Sequence, residues 1–347
     1  MKLTKTFKIG NRKIGDNHEP LVIVEIGINH EGNFEKAKQM IFDAHENGAE
    51  CVKFQCHIAD EEMIPNDVIP SNANESIWEM MKRCSFSLEN EIKLKKYVED
   101  LEMIYLNTPF SRAAANRLEK MNICAYKIGS GECNNFPLIS HIASFGKPVI
   151  LSTGMNDINS ISKSINILKT ANIDYAIMHV TSMYPTPYDK VRLKFITELK
   201  EKFPNTIIGL SDHSFGNYTC FAGIALGASI LEKHFTSNKN WPGPDIPISI
   251  TPSELKDLIV GSKAIFESLK DKNSILKEEK ETAKFAYASV VAISDIEKGD
   301  YFSEKNIWVK RPGTGQIKAE FLNEILNKKA TKNVKKNEQL KWEMIND

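Results

Sequence analysis

The sequence lacks several features that mark large classes of proteins. No run of it approaches the roughly 18 consecutive apolar residues of a membrane-spanning helix. Residues 1–20 contain no apolar core of signal-peptide length. Basic and acidic residues balance at 45 each, so no excess charge attracts the chain to nucleic acid or to an anionic membrane surface. We therefore expect a cytoplasmic protein with neither a nucleic-acid partner nor a membrane partner.

The six cysteines do not show the C-x-x-C spacing that is the usual signal of a metal or redox motif. Cys51, Cys124 and Cys220 lie in or beside apolar stretches, where free thiols act as small buried hydrophobic side chains. We expect all six to be reduced.

Apolar segments typical of strands alternate with helical patterns along residues 1–270. The strands are predicted at 21–27, 51–55, 104–110, 125–130, 148–153, 175–182, 207–213 and 229–235. Amphipathic helices are predicted at 32–48, 89–101, 112–121, 157–170, 192–203 and 253–269, and a Gly/Ala-rich helix is predicted between the strands at 207–213 and 229–235. Eight β/α units in about 250 residues are typical of a TIM (β/α)8 barrel. The long insertion at 60–84 is predicted to be a functional loop.

The pattern changes after residue 270. Residues 271–285 are charged and lack periodicity, which indicates a linker. Residues 286–347 show short strands and turns, which indicates a small second domain. Its lysine-rich tract, 328–341, lacks interleaved aromatic residues and is therefore interpreted as a solvated face.

Polar residues cluster where the predicted strands end, and in a TIM barrel the carboxyl ends of the strands form the active-site face. A single serine or threonine at a strand end has an ordinary structural explanation, but convergence of so many polar groups predicts an active site. The strand-end residues are Glu25, Lys53, Gln55, Thr108, Lys127, Ser130, Ser152, Ser182, Tyr184, Ser211, His213 and His234.

The residue types at these strand ends indicate a class of chemistry. His213 and His234 end successive parallel strands, so their imidazoles can lie close enough to share a divalent cation. The alternative is that each is a hydrogen-bonded histidine at the end of a buried strand. Lysines with clustered hydroxyls suit a small polyanionic ligand, and Glu25 and Glu132 are candidate general bases. A phosphorylated enol or sugar that meets an aldehyde would fit this set.

Many blocks of the sequence resemble the bacterial N-acetylneuraminate (sialic acid) synthases. The resemblance runs through the whole chain in one register and includes the C-terminal antifreeze-like (SAF, β-clip type) domain of that family. The blocks are EIGINHEG at 25–32, VKFQ at 52–55, NTPFSRAAANRL at 107–118, YKIGSGECNNFPLI at 126–139, LSTGMN at 151–156, YPTPY at 184–188, GLSDHS at 209–214, LEKHFT at 231–236, GPDI at 243–246 and WVKRPG at 308–313.

The resemblance implies condensation of phosphoenolpyruvate with open-chain N-acetylmannosamine and water, which gives N-acetylneuraminate and phosphate by C–O cleavage. It implies that His213 and His234 hold a divalent metal, most often Mn²⁺ with Mg²⁺ or Co²⁺ as alternatives, which polarises the sugar aldehyde. Glu25 would orient or deprotonate the water. The implied phosphoenolpyruvate ligands are Lys53, Thr108, Lys127, Ser130, Ser152 and Ser211, and the implied sugar ligands are Gln55, Asn72, Glu132, Tyr184 and Asp245. Arg311 would reach the N-acetyl group from the partner subunit of a domain-swapped homodimer.

The chain departs from the common family pattern at three positions. Phe54 and Cys56 stand in the segment KFQC, and Ser182 stands in TSMY. Phe54 is predicted to point away from the barrel lumen. Ser182 replaces an amide next to phosphoenolpyruvate, and a similar serine occurs in pseudaminate synthases. The alternatives within this chemistry are legionaminate or pseudaminate synthase, acting on a 2,4-diacetamido-2,4,6-trideoxyhexose, and N-acylneuraminate-9-phosphate synthase. The matches around Asn72 and Asp245 favour the hydroxylated neuraminate precursor.

Two further alternatives belong to other functional classes. An aldolase with a Schiff base at Lys127 predicts trapping by borohydride and no need for metal. A SAF domain that binds carbohydrate or ice on an inert barrel predicts that Glu25→Gln is tolerated.

The resemblance yields a prediction for Arg311. Replacement of Arg311 with alanine is expected to weaken use of the sugar far more than binding of phosphoenolpyruvate, because the implied contact is with the N-acetyl group. Steady-state kinetics with each substrate varied in turn measure the two effects. Equal loss for both substrates would contradict the assignment.

Overall fold

A computed structural model describes residues 6–270 and 275–346 of the chain. These residues fall into two compact units, with the boundary between Lys270 and Asp271. The first unit contains the strands β1 Thr6–Ile9, β2 Arg12–Gly15, β3 Leu21–Gly27, β4 Cys51–Cys56, β5 Ile104–Pro109, β6 Tyr126–Ile128, β7 Val149–Ser152, β8 Tyr175–Val180, β9 Ile207–Asp212 and β10 Ile230–His234.

Strands β3 to β10 form a closed barrel of parallel neighbours, in which β10 pairs with both β9 and β3. The predicted TIM barrel is confirmed. Its helices are α1 Phe34–Glu46, α2 Ala59–Glu62, α3 Ile77–Cys84, α4 Leu88–Asp100, α5 Arg112–Lys120, α6 Phe136–Ala143, α7 Ile158–Thr170, α8 Lys194–Lys202, α9 Tyr218–Ala225 and α10 Pro252–Ser268.

Several barrel helices begin at a side chain that binds a free backbone N–H group. Asn33 accepts a hydrogen bond from the N–H of Lys36 at the start of α1. Thr251 and Glu254 form a reciprocal capping box at the start of α10. All neighbouring strands of the barrel are parallel, so their carboxyl ends lie on one face.

The barrel lumen has an apolar floor because alternate residues of each strand point inward. Phe7, Ile9 and Ile14 of the β1–β2 hairpin pack against the inward residues near the amino ends of the strands. Those inward residues include Leu21, Ile23, Cys51, Leu106, Ala125, Ile150, Ala176, Met178, Ile207 and Ile230. The hairpin therefore covers the amino-terminal end of the barrel. It lies within residues 1–20, where no strand is predicted from the sequence.

The outward residues of the strands form a second, larger core beneath the helices. Phe54 is buried there and stacks on Tyr105, with ring centroids 5.7 Å apart. It points away from the lumen, as predicted. All six cysteines are free, and five of them are buried.

Two stretches differ from the sequence-based expectation. Helix α6 has no counterpart among the predicted helices, because its eight residues, FPLISHIA, are fewer than the roughly ten to twelve by which an apolar helix is told from a strand. The insertion predicted as one long loop contains two short helices, α2 and α3, and only residues 63–76 between them are largely irregular.

The second unit contains the helices α11 Lys280–Ala286 and α12 Leu322–Ile325 and the strands β11 Ser289–Ala292, β12 Ile307–Lys310, β13 Lys329–Ala330 and β14 Ile345–Asn346. Its core is a separate apolar cluster that includes Val290, Phe302 and Leu340. Helix α11 occupies most of the second half of the stretch predicted as a patternless linker, and residues 271–274 of that stretch lie outside the described residues. Within residues 6–270 and 275–346, no helix has the length and apolar character needed to cross a membrane.

A buried ion pair joins the ends of the last two barrel strands. Lys233 Nζ lies 2.5 Å from Asp212 Oδ2, and the two side chains are 0% and 1% exposed. Lys233 also donates to the carbonyl of Ser214, and the Asp212 carboxylate accepts from Thr219 Oγ1 at 2.8 Å. Because both residues point outward beneath α9, the pair braces the two strands whose inward faces carry His213 and His234.

Removal of one member should therefore leave a buried charge without its partner. We expect Lys233→Met to lower the free energy of unfolding by about 3–5 kcal/mol, measured by urea denaturation followed by circular dichroism. Lys96→Met is the matched control, because Lys96 pairs with Asp100 on an exposed helix face and should change stability by less than about 1 kcal/mol. Equal effects of the two variants would contradict the bracing role.

Candidate active site

The carboxyl ends of the barrel strands surround a cavity of about 290 Å³. Most of the residues predicted from the sequence line it, namely Glu25, Lys53, Gln55, Thr108, Lys127, Ser130, Ser152, Ser182, Tyr184, Ser211, His213 and His234. Asn72, Glu132, Asp245 and Arg311 are not in this lining. The strand period explains the convergence, because the inward face that is apolar at the floor becomes polar at the open end.

Two lysines and two carboxylates form a buried network at the base of the cavity. Lys53 Nζ lies 2.6 Å from Glu25 Oε2 and 3.8 Å from Glu232 Oε1. Lys127 Nζ donates to the same Glu232 oxygen at 2.9 Å, and Ser211 Oγ donates to it at 3.1 Å. A single oxygen of Glu232 therefore faces both ammonium groups.

Burial shifts the proton affinities in this network. It lowers the pKa of Lys127, because an ammonium group loses its hydration. It raises the pKa of Glu25 even though Lys53 lies beside that carboxylate. Burial alone would also raise the pKa of Glu232, but the charges of Lys127 and Lys53 outweigh that effect and lower the pKa to about 2. Glu232 is therefore the firmly ionised carboxylate, whereas the raised pKa of Glu25 suits a group that accepts a proton.

Hydroxyl groups extend the polar wall above the lysines. Thr108 Oγ1 accepts from Lys53 Nζ at 3.3 Å, and Ser130 Oγ accepts from the N–H of Gly154 at 3.1 Å. A Cβ at Gly154 would collide with the hydroxyl oxygens of Ser130 and Ser182. The absence of a side chain at this glycine lets the two serines come together at the edge of the cavity.

The two histidines predicted as metal ligands lie side by side, with ring centroids 5.4 Å apart. His213 Nδ1 is 2.9 Å from the carbonyl oxygen of Thr181, and a carbonyl only accepts, so Nδ1 carries the proton and Nε2 keeps its lone pair. Burial lowers the pKa of His213 to about 4 and that of His234 well below its ordinary value. Both rings are therefore neutral, which is the form that binds a metal.

The pair fits a divalent cation with open coordination positions. His234 Nδ1 has no hydrogen-bond partner, although Asp245 Oδ2 lies 3.6 Å away. Across the described ranges, 6–270 and 275–346, no group of three or more His, Cys, Asp or Glu side chains is arranged to hold a metal ion. A cation at the two histidines would thus take its remaining ligands from substrate or water.

Tyr184 covers the histidine pair. Its ring stacks on His213 at a centroid distance of 4.2 Å and meets the edge of His234 at 5.9 Å. Burial raises the pKa of its phenol above the ordinary value, so the hydroxyl stays a neutral donor next to the imidazoles.

Asn72 and Asp245 meet beside the cavity rather than within its lining. Asn72 Nδ2 lies 3.3 Å from the carbonyl oxygen of Pro244 and 3.5 Å from Asp245 Oδ1. Burial raises the pKa of Asp245 to about 7.

Glu132 forms a hydrogen bond outside the cavity lining, because its carboxylate accepts from Asn135 Nδ2 at 2.5 Å. Arg311 is exposed on the second unit, at the end of β12.

Sequence reasoning missed Glu232 and His57. Glu232 lies two residues before His234 on β10, so the alternation of side chains alone indicates that it shares the inward face. His57 lies just beyond β4, and its Nε2 faces Gln55 Oε1 at 3.0 Å while Nδ1 faces Glu62 Oε2 at 2.8 Å. This contact orients the Gln55 amide, whose Nε2 donates to Glu25 Oε1 at 2.8 Å. No strand or helix period signals such a loop residue.

Two family models match the chain in sequence. The NeuB family model matches residues 40–274, which hold most of the barrel. The SAF domain model matches residues 287–346 in the second unit.

The relatives and solved structures agree with these matches. An N,N'-diacetyllegionaminic acid synthase of Campylobacter jejuni is 35% identical over 333 residues, which cover 92% of this chain and 98% of the relative. The protein of the same name from Legionella pneumophila is 32% identical over 362 residues, which cover 96% and 99%. The crystal structure of an N-acetylneuraminic acid (sialic acid) synthetase from Leptospira borgpetersenii in complex with citrate has a TM-score of 0.74 at 30% identity, and covers 80% of this chain and 95% of that one.

Proposed function

The chain belongs to the NeuB family, and we propose that it condenses phosphoenolpyruvate with N-acetylmannosamine and water to give N-acetylneuraminate and phosphate. One observation carries the proposal. Two buried lysines and several hydroxyls converge in the same cavity as two neutral histidines. The first group suits an anionic phosphorylated substrate, and the second suits a cation that activates a carbonyl.

Lys53 and Lys127 would hold the phosphate and carboxylate of phosphoenolpyruvate, because ammonium groups in a buried site attract an anion strongly. Thr108, Ser130, Ser152, Ser182 and Ser211 would donate the hydrogen bonds that fix its orientation. Glu232 faces both lysines, so its carboxylate balances part of their positive charge before an anionic substrate binds.

His213 and His234 would hold the divalent metal, most often Mn²⁺, which polarises the aldehyde oxygen of the sugar. C3 of phosphoenolpyruvate would attack the aldehyde carbon, and the aldehyde oxygen would take up one proton to become a hydroxyl. The water added in the next step gives up two protons, one to Glu25, which replaces the proton taken up by the aldehyde oxygen, and one to the departing phosphate. Water then adds at the cationic C2 and loses a proton to Glu25. The C2–O bond to phosphate breaks last, so inorganic phosphate leaves and a ketone forms at C2.

Gln55, Asn72, Tyr184 and Asp245 would bind the sugar. Gln55 and Tyr184 line the cavity, and Asn72 and Asp245 meet beside it. We further propose that Arg311 of a partner subunit contacts the N-acetyl group within a domain-swapped homodimer. Glu132 is assigned to the sugar only through the family resemblance, because Asn135 holds its carboxylate in the free protein.

A second acceptor is favoured by specific observations. Two relatives that cover nearly the whole chain carry the name N,N'-diacetyllegionaminic acid synthase. Ser182, which lines the cavity, is also one of the departures from the sialic acid synthase pattern. The second candidate is therefore a 2,4-diacetamido-2,4,6-trideoxyhexose, used with the same phosphoenolpyruvate chemistry.

The deciding experiment measures phosphate release from phosphoenolpyruvate by metal-stripped protein, with Mn²⁺ added back. The acceptors are N-acetylmannosamine, its 6-phosphate, 2,4-diacetamido-2,4,6-trideoxymannose and arabinose 5-phosphate. We expect release with N-acetylmannosamine that depends on Mn²⁺. Release only with the diacetamido sugar would make that sugar the acceptor and leave the proposed type of reaction unchanged. Absence of release with every acceptor would overturn the proposed function.

Borohydride added during turnover tests the aldolase alternative, because inactivation would indicate a Schiff base at Lys127.

The contact of Gly154 with two serines generates a further prediction. Gly154→Ala should push the hydroxyls of Ser130 and Ser182 out of place. We expect KM for phosphoenolpyruvate to rise about tenfold, the effect of one lost hydrogen bond to a charged group. KM for the acceptor sugar, measured in the same variant, is the internal control and should stay within about twofold. A rise confined to the acceptor KM would show that these serines do not bind phosphoenolpyruvate.

A further inference from the structure

The loop after β3 contains residues 29–32, which the proposed chemistry leaves without a role. Glu31 Oε2 accepts from Arg83 Nη1 at 2.7 Å, and Arg83 Nη2 donates to Glu75 Oε1 at 2.5 Å. Arg83 is in the last turn of α3, and Glu75 lies in the segment just before that helix. One guanidinium therefore ties the loop after β3 to residues 63–76, the segment that carries Asn72.

The loop after β3 is itself anchored to the barrel and to a third loop. Asn29 Nδ2 donates to the carbonyl of Phe235 and to Ser249 Oγ, both at 2.8 Å. Ser249 Oγ in turn donates to the carbonyl of Asp245 at 2.7 Å. Asn29 lies two residues before Glu31. Through Ser249 it fixes the main chain that carries Asp245.

Two glycines allow the three loops to approach closely. Gly32 has φ +74°, and a Cβ there would collide with the carbonyl oxygen of Arg83. Gly243 has φ +141°, and a Cβ there would lie 3.2 Å from Glu31 Oε1. Both backbone conformations favour glycine, so the chain is built for contact among Glu31, Arg83 and the loop at Gly243.

Residues 63–76 are packed mainly near their two ends, where Met63 and Ala73 contact the apolar cluster that includes Ile28 and Met80, and their middle is exposed. Ile64, Val68 and Ile69 in this segment are 81%, 65% and 59% exposed. The hydrogen bonds of Asn72 to Pro244 and Asp245 are long, at 3.3 and 3.5 Å. A segment with little buried apolar surface gains order mainly from specific ties, and the guanidinium of Arg83 makes the strongest of these by geometry.

We propose that Arg83, through Glu31 and Glu75, is a positioning residue that sets the distance between Asn72 and Asp245 and thereby determines how well the acceptor sugar binds. Arg83 acts without touching the sugar. This inference rests on the proposed function, in which Asn72 and Asp245 bind the acceptor. Binding of phosphoenolpyruvate does not depend on the tie, because its proposed ligands stand on or next to the barrel strands.

The test compares Arg83→Gln, Glu31→Ala and the double variant with the unaltered enzyme under Mn²⁺ saturation. We expect KM for the acceptor to rise about tenfold in each single variant, because small displacements of binding groups are costly. KM for phosphoenolpyruvate and kcat should stay within about twofold. The double variant should be no worse than Arg83→Gln alone, because loss of the guanidinium already removes the contact with Glu31. Lys96→Gln, which breaks an exposed ion pair on α4, is the matched control and should change neither KM.

Hydrogen exchange supplies a readout that does not require turnover. Arg83→Gln should speed exchange in residues 66–76 and leave the barrel strands unchanged. Arg83→Lys keeps the charge but loses the planar guanidinium, so it should give an intermediate acceptor KM. It replaces Arg83→Gln in the test if that variant does not fold. Parallel rises of both KM values, an unchanged acceptor KM, or unchanged exchange in 66–76 would each overturn the proposal. If the unaltered enzyme releases no phosphate with any acceptor, the proposed function fails, and the exchange measurement alone decides whether Arg83 orders the segment.

Discussion

The site depends on one geometric constraint, the two-residue period of strands that close into a barrel. Along β10, Ile230, Glu232 and His234 share the inward face, with the apolar residue at the floor and the polar residues at the open end. The β1–β2 hairpin seals the floor with apolar side chains. The charged layer above it therefore lies in a medium of low polarity, where each charge depends on a specific partner.

That environment explains why the ionisable groups of the cavity depart from their ordinary behaviour. The pairs of Lys53 with Glu25 and of Lys127 with Glu232 are buried, and pairs of this kind cost free energy to desolvate that their attraction barely offsets. Their value is chemical. Ammonium groups already held in place attract an anion without reorganisation, and a carboxylate whose pKa is raised by burial can take a proton from water.

The two substrates of the proposed reaction are assigned to parts of the structure that differ in rigidity. The groups assigned to phosphoenolpyruvate stand on or next to barrel strands, whereas Asn72 and Asp245 stand on loops that meet across the rim. Loops change between relatives more readily than strands do. Under the proposed function, variable rim loops on a shared core would let the acceptor sugar change while the condensation chemistry is kept, and the ties of Arg83 would set that choice.

The sequence by itself determined the barrel and most of the cavity lining, because strand alternation and polar strand ends are local patterns that one chain displays. Glu232 was within reach of the same rule. Only the tertiary structure decided the contacts of the loops. Some of these join distant segments, as the hairpin does on the barrel floor and Glu31 does with Arg83. Others are close in sequence but depend on the conformation of the loop, as for His57 with Gln55 and Asn135 with Glu132. The physical reason is that loop side chains have no period, so their partners depend on how the closed barrel brings separate loops together.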